Sequence, residues 1–265
     1  YIIEIDKKRY VYRQYENRSE GSVMFETDIL EHLVENDFPC PAPISRRDGT
    51  YVGSHHGKPY VLFSFVEGEP VKRPNRKQWQ HLIETVAKLH SLTEGYTSPY
   101  ERHRLNYGPV ACLELASDKA TQLGTDDAAR KQAWHADAVA ALNLPDTIPR
   151  GVCHADFDFS NVFYKGDRLS SLLDFDDANA TYLLFDLVGL IEHWSYTHYD
   201  PLPDFKKARE VIREYTRHRP LTEIERYHLL DVHKLSILID CVWFFDRGST
   251  DNFYERTKIE ALDGM

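Results

Sequence analysis

Apolar and polar positions alternate along residues 1–6 and again along 9–15, on either side of Asp6-Lys7-Lys8, which predicts that the chain opens with a β-hairpin. The spacing then lengthens to three and four. Phe25, Ile29, Leu30 and Leu33 form one stripe of an amphipathic helix that Glu26 opens, and Pro39, Pro41 and Pro43, each one residue apart, end it. Residues 50–52 and 58–65 read as strands, and Gly68-Glu69-Pro70 marks a domain boundary. Beyond it the period is helical. Residues 76–92 carry an apolar face of Trp79, Leu82, Ile83, Val86, Leu89 and His90, with His90 read as a core histidine, and residues 93–107 form a loop. A weakly apolar helical stretch over 113–142 is broken near Gly124-Thr125-Asp126, with Asp126 as a new N-cap, and Pro145 and Pro149 stop it. Short strands over 162–164 and 169–173 flank Lys165-Gly166-Asp167-Arg168, a hairpin turn. A buried helix begins within 182–191 and reaches Trp194, followed by helices over 204–217 and 222–245. The last is apolar around most of its circumference, so Trp243 reads as packing.

The candidate chemistry is concentrated in residues 151–176, GVCHADFDFSNVFYKGDRLSSLLDFD. His154, Asp156 and Asn161, a hairpin, and Asp174-Phe175-Asp176 follow in order within 23 residues. One H-x-D alone carries little weight in a chain with 13 histidines, where a helix cap or loop ion pair explains it. The ordered set points to phosphoryl transfer, which needs an oriented acceptor hydroxyl and divalent cations on the triphosphate. Asp156, which accepts or orients the hydroxyl proton, and His154 are the expected catalytic residues. Asn161 and Asp174 supply hard oxygens to Mg²⁺.

Residues 151–194 resemble the aminoglycoside phosphotransferase and choline kinase superfamily, and within it the branch containing the type II homoserine kinases, which writes this stretch as His-Ala-Asp, a loop, Asn-Val, a hairpin, Asp-Phe and an aromatic-Asp-Leu. The resemblance implies an α+β, two-lobed, protein-kinase-like fold: a small antiparallel β N-lobe over residues 1–67 and a larger, mainly helical C-lobe over 68–265. It implies ATP and Mg²⁺ as cofactors and a small-molecule acceptor. Arg13 stands where the family's strand carries a phosphate-binding lysine, and is either its substitute or a surface arginine on an edge strand; Glu26 is its expected partner. Ser64, Phe65 and Val66 resemble the hinge whose backbone meets adenine. Asp186 matches the aspartate that braces the catalytic loop. The family places a phosphate-covering loop ahead of the first strand here, so the native start is expected to lie before Tyr1. Asp158 and Asp176 depart from the homoserine kinase pattern. With Asp177 and Glu192 they are candidates to grip a substrate amine, or else solvated charges or further metal ligands.

A net charge of −10 argues against nucleic acid or an anionic membrane as partner. Cys40, Cys112, Cys153 and Cys241 lie far apart, as free thiols of a cytoplasmic protein do, with Cys153 a small residue at a buried strand end. A monomer or homodimer is expected. Two alternatives stay open: a nucleotide-binding pseudokinase or interaction protein, and a zinc hydrolase built on His154, Asp156 and Asp174, for which the sequence lacks further spaced ligands.

Overall fold

A computed structural model describes residues 1–196, 200–248, 250 and 254–264. Its chain divides into two compact units, one formed by Tyr1–Leu105 with Gly151–Asn179, the other by Asn106–Arg150 with Ala180–Met265.

The first unit begins with β1 (Ile2–Ile5) and β2 (Lys8–Gln14), antiparallel, with Ile2 opposite Val11. Asp6 and Lys7 turn the hairpin with φ of 50° and 64°, the twist that suits a two-residue hairpin loop. Next comes α1 (Glu20–Glu35), capped by the Ser19 side chain, which accepts the Ser22 N–H. The cap starts the helix at Glu20 rather than at Glu26. Glu26 consequently sits well inside the helix, on the buried stripe with Phe25, Ile29, Leu30 and Leu33. The strands β3 (Gly53–His55) and β4 (Lys58–Ser64) complete a four-stranded antiparallel sheet of order β1-β2-β4-β3, against which α1 packs. Two expectations change here. Residues 50–52 are not a strand, because Asp48 accepts the Thr50 N–H and closes a turn before pairing begins at Gly53. And β2 is an interior strand between β1 and β4, with Arg13 beyond the residues that β1 covers and paired with Val61 of β4.

After β5 (Glu69–Pro70), α2 (Arg76–Thr93) is held by a reciprocal Asn75–Gln78 capping box, and its apolar face is buried from Trp79 to Leu89. His90 is fully buried, 4.0 Å from Cys153 Sγ.

The second unit is helical. α3 (Pro109–Leu123) ends at Gly124, which takes the left-handed conformation (φ 63°) that glycine adopts without cost, and α4 (Asp126–Ala140) begins under a Thr125 cap. The cap is Thr125 rather than Asp126, because it is the threonine oxygen that meets the Ala128 N–H.

Four strands follow α4. β6 (Arg150–Cys153) ends at the buried Cys153; β7 (Val162–Lys165) and β8 (Arg168–Leu172) form a hairpin, with β5 added on the outer side of β7; β9 (Asn179–Tyr182) follows. Tyr182 belongs to β9, so the next helix, α5 (Leu184–Ser195), begins at Leu184. α5 packs on α6 (Phe205–His218) and α7 (Glu223–Asp246), and α7 also on α3 and α8 (Tyr254–Asp263). Asp204 and Thr222 cap α6 and α7. Trp243 is 37% exposed, because α7 turns that face outward rather than into the core. α8 escaped sequence analysis because Ile259 and Leu262 are its chief buried apolar positions. All four cysteines are free thiols. Among the described residues, no helix is long and apolar enough to cross a membrane.

Candidate active site

β6 leads directly into the acidic loop of the first unit. His154 follows Cys153, is fully buried, stacks on Phe157 at 5.3 Å and meets Phe175 edge-on at 4.8 Å. Its Nε2–H donates to the Leu173 carbonyl at 2.7 Å while Nδ1 accepts the Asp156 N–H at 3.3 Å. Both nitrogens are therefore engaged within the loop. That use removes the zinc alternative's first ligand, since a metal-bound imidazole needs one nitrogen lone pair for the ion.

Ala155, between His154 and Asp156, has φ of 64°, a conformation that costs a residue with a Cβ and that packed surroundings must enforce. The kink turns the chain so that Asp156 meets Asn161. Asp156 Oδ2 accepts from Asn161 Nδ2 at 3.0 Å, and Oδ1 accepts the Asp158 N–H at 3.3 Å. The Asp158 side chain in turn accepts the Ser160 N–H at 2.8 Å and caps a short 3₁₀ turn over Phe159–Asn161. With its amide hydrogens turned to Asp156, Asn161 has its carbonyl oxygen to offer a cation. The Asn161 backbone carbonyl also accepts the Leu173 N–H at 2.8 Å, which ties the loop to the residue preceding Asp174.

Asp174 also has a left-handed backbone (φ 61°) and opens a second 3₁₀ turn over Phe175–Asp177. Its Oδ1 accepts from Arg13 Nη1 at 2.7 Å, and the same guanidinium lies 3.6 Å from Glu26 Oε1 and 3.5 Å from Asp176 Oδ2. Burial works against the Arg13 charge, and Glu26, Tyr15 and Asp174 outweigh it and hold the group firmly protonated. Burial pushes the Glu26 carboxyl up to about 7, against the pull of Arg13 and with a further push from Asp176. Arg18 reaches Asp176 Oδ1 at 3.0 Å and Asp177 Oδ1 at 2.6 Å. Asp176 and Asp177 thus face arginines of this chain, which accounts for their charge without a substrate amine.

A cavity of about 740 Å³ opens within the first unit, inside the range usual for small-molecule and cofactor sites. Arg13, Glu26, Ser64, Phe65, Val66, Asn161 and Asp174 all line it, together with apolar Val11, Leu30 and Phe63. His154, Asp156, Asp158 and Asp176 are not among its lining residues. The Ser64 N–H already donates to the Ala42 carbonyl at 2.8 Å and the Phe65 N–H to Arg9 at 3.4 Å.

Asp186 and Glu192 belong to the second unit. Asp186 is buried in the first turn of α5. Glu192 pairs with His233 at 3.2 Å, and His233 Nε2 lies 3.3 Å from the Tyr196 hydroxyl. Burial pushes the Glu192 carboxyl up, but His233, Lys258 and His193 outweigh it and hold it below its ordinary value. Arg18 and Arg104, both prominent around Asp174–Asp177, escaped sequence analysis; each is a single arginine in a loop with no motif about it.

A small antiparallel sheet with one helix against it, a mainly helical remainder, and a cavity lined by Asn161 and Asp174 with Asp156 bonded to Asn161 define a kinase-like α+β protein. The phosphotransferase enzyme family matches residues 1–221, and the chain belongs to that family. A homoserine kinase of Rhodospirillum rubrum is 30% identical over 227 residues, spanning 85% of this chain and 70% of the relative. A homoserine kinase of Parvibaculum lavamentivorans is 31% identical over 242 residues, spanning 90% and 72%. Among solved structures, an amicoumacin kinase in complex with AMP-PNP and Ca²⁺ aligns with a TM-score of 0.71 at 16% identity, covering all of this chain and 85% of that one. A microcompartment-associated aminopropanol kinase aligns at 0.62 and 17%, covering 100% and 86%. The chain is a small-molecule kinase that uses ATP to phosphorylate a hydroxyl.

Proposed function

We propose that the acceptor is a small amine-bearing alcohol, either an amino alcohol, an amino acid such as homoserine, or an aminoglycoside, with Asp156 accepting the hydroxyl proton as the new P–O bond forms. The observation that carries the reading is the single hydrogen-bonded loop that fixes Asp156 against Asn161 while the Asn161 carbonyl pins the residue before Asp174. His154 is a positioning residue: its ring joins the Leu173 carbonyl to the Asp156 amide and so holds the base and the Asp174 segment in one register.

Mg²⁺ fits the donor set, because Asn161 and Asp174 offer one neutral and one charged hard oxygen into the same cavity. When bound, the ion neutralises charge on the triphosphate. Arg13 occupies the place for holding phosphate, with Glu26 beneath it. The adenine edge meets the chain at residues 64–66, where the Ser64 and Phe65 amides are already committed, so the Val66 amide and the neighbouring carbonyls are the groups offered. Asp158 is the carboxylate proposed for the acceptor amine; Glu192 and Asp186 belong to the second unit. The lobes divide at Gly68, the protein acts as a monomer or homodimer, and its home is the cytoplasm.

A pseudokinase reading draws on one observation, the Arg13–Asp174 contact, which engages the carboxylate proposed as a metal ligand. A coupled assay of ADP release across amino alcohols, amino acids and aminoglycosides separates the two. Acceptor-dependent turnover supports the kinase, and ADP release unmoved by every acceptor supports the alternative.

A further inference from the structure

The segment carrying Asp174 is a tight turn closed by the Ala178 N–H donating to the Phe175 carbonyl at 3.1 Å, and one side chain gathers its carbonyls. Arg104, in the loop after α2, donates from Nη2 to the Phe175 carbonyl at 3.0 Å and to the Asp176 carbonyl at 2.6 Å, and from Nε to the Ala178 carbonyl at 2.8 Å. Its Nη1 donates to Ser22 Oγ at 2.8 Å, and its guanidinium lies 5.1 Å from the centre of the Phe25 ring. Ser22 and Phe25 belong to the helix turn that also carries Glu26, the partner of Arg13. One planar fork therefore clamps three carbonyls of the metal-ligand turn to the helix that supports the phosphate-binding arginine.

The local chain is shaped for this. Gly21 lies in the first turn of α1, and a Cβ there would sit 2.4 Å from the His103 ring. Glycine at this position leaves the His103 ring room to lie against α1 beside Arg104. Arg18 acts on the same turn from outside, through the Asp176 and Asp177 side chains. Arg104 takes the backbone, and the backbone sets where the Asp174 carboxylate points, because Asp174 is held in a left-handed conformation that an unsupported chain would leave.

We infer that Arg104 is a positioning residue for the divalent cation: by fixing the carbonyls of Phe175, Asp176 and Ala178 it orients Asp174 as a ligand. This rests on the reading of Asp174 as a metal ligand. A guanidinium is required, since its fixed fork of donors meets several carbonyls at once where an ammonium is a point charge.

The test uses the full chain with Arg104→Lys and Arg104→Met, titrated with Mn²⁺ in saturating ADP and read by electron paramagnetic resonance of free Mn²⁺. Partners that orient metal ligands typically carry 10–100-fold in metal affinity. Both variants should weaken Mn²⁺ by about 10-fold or more, lower kcat and leave the KM for acceptor unchanged. Asp174→Asn is the reference. Combined with Arg104→Lys it should add little further loss, as coupled residues do and independent ones do not. If Asp174→Asn weakens Mn²⁺ while both Arg104 variants bind it normally, the proposal is overturned and the Asp174 reading stands. If Asp174→Asn itself leaves Mn²⁺ binding intact, both fall. Should Arg104→Met fail to fold, Arg104→Lys decides alone, and a loss that merely adds to that of Asp174→Asn counts against the proposal.

Discussion

Arg13 Nη1 holds Asp174 Oδ1 at 2.7 Å, so the cation proposed for phosphate and the carboxylate proposed for metal are paired with each other. A metal ion at Asp174 Oδ1 would compete with that contact. Glu26 Oε1, at 3.6 Å, is the second carboxylate that keeps Arg13 in place. Arg13→Ala should therefore let free Mn²⁺ bind a few-fold more tightly, in line with the modest worth of a half-exposed ion pair, while ADP binds more weakly. Calorimetry with each ligand alone checks the two directions, and a loss of both affinities would show that the pair supports Asp174 rather than competing for it.

Asp174 and Asn161 differ in charge, which predicts a difference in metal dependence. Asp174→Ala removes an anionic ligand and should raise the Mg²⁺ concentration for half-maximal rate far more than Asn161→Ala, which removes a neutral one. Asn161→Ala has a second effect, since it also removes the 3.0 Å bond to Asp156, and should lower kcat at saturating Mg²⁺. Steady-state rates over a Mg²⁺ series separate the effects. Identical Mg²⁺ dependence in both variants and the parent would show that neither side chain binds the ion.

Glu26 gives a pH dependence of definite sign. Its carboxyl titrates near 4.5 in the unfolded chain and is pushed up to about 7 by burial in the native one, with Arg13 opposing and Asp176 adding to the shift. Between those values the native state holds more protons than the unfolded, so this group's contribution to stability is full below about 4.5 and is lost as pH rises through about 7. Urea midpoints of the parent should fall relative to Glu26→Gln between pH 5 and pH 8. Nucleotide affinity should move oppositely, rising through pH 7 in the parent as the Arg13–Glu26 pair becomes charged, and staying flat in the variant. A parent-minus-variant difference that is independent of pH would mean that Glu26 is already ionised at pH 5.

His154 can be tested as a positioning residue. His154→Gln keeps a donor for the Leu173 carbonyl but loses the flat ring packed between Phe157 and Phe175. Turnover should fall by about 10-fold or more, the order seen when groups that orient a site are removed, with the pH–rate profile unchanged in shape, because the proton is handled by Asp156. A profile that loses its acidic limb would make His154 the titrating base.

The acidic loop was legible in the sequence because its chemistry is local. His154, Asp156 and Asn161 precede the β7–β8 hairpin and Asp174 follows it, so a short hairpin returns one segment to the other. Arg13 and Glu26 were legible as a pair only through the family resemblance, and the sequence left Arg13 free to be an edge residue, since strand order is decided by contacts between β2 and β4 that no local pattern records. The start of α1 was missed because the apolar stripe announces a helix face and not its cap, and Ser19 carries no apolar signal. Arg18 and Arg104 were beyond reach for a related reason. A loop arginine shows its role only when the carbonyls or carboxylates it gathers, here some 70 to 160 positions away, are brought to it.

The most direct measurement pairs product and base in one experiment: mass spectrometry of acceptors incubated with ATP, Mg²⁺ and either the parent chain or Asp156→Asn. The expected result is a phosphorylated hydroxyl on one amine-bearing acceptor, formed by the parent and slowed on the order of 10²–10⁴-fold in the variant, with ADP affinity preserved. Equal product from both proteins would contradict the role of Asp156, and ATP turnover with no phosphorylated amine-bearing acceptor across the panel would contradict the proposed acceptor class.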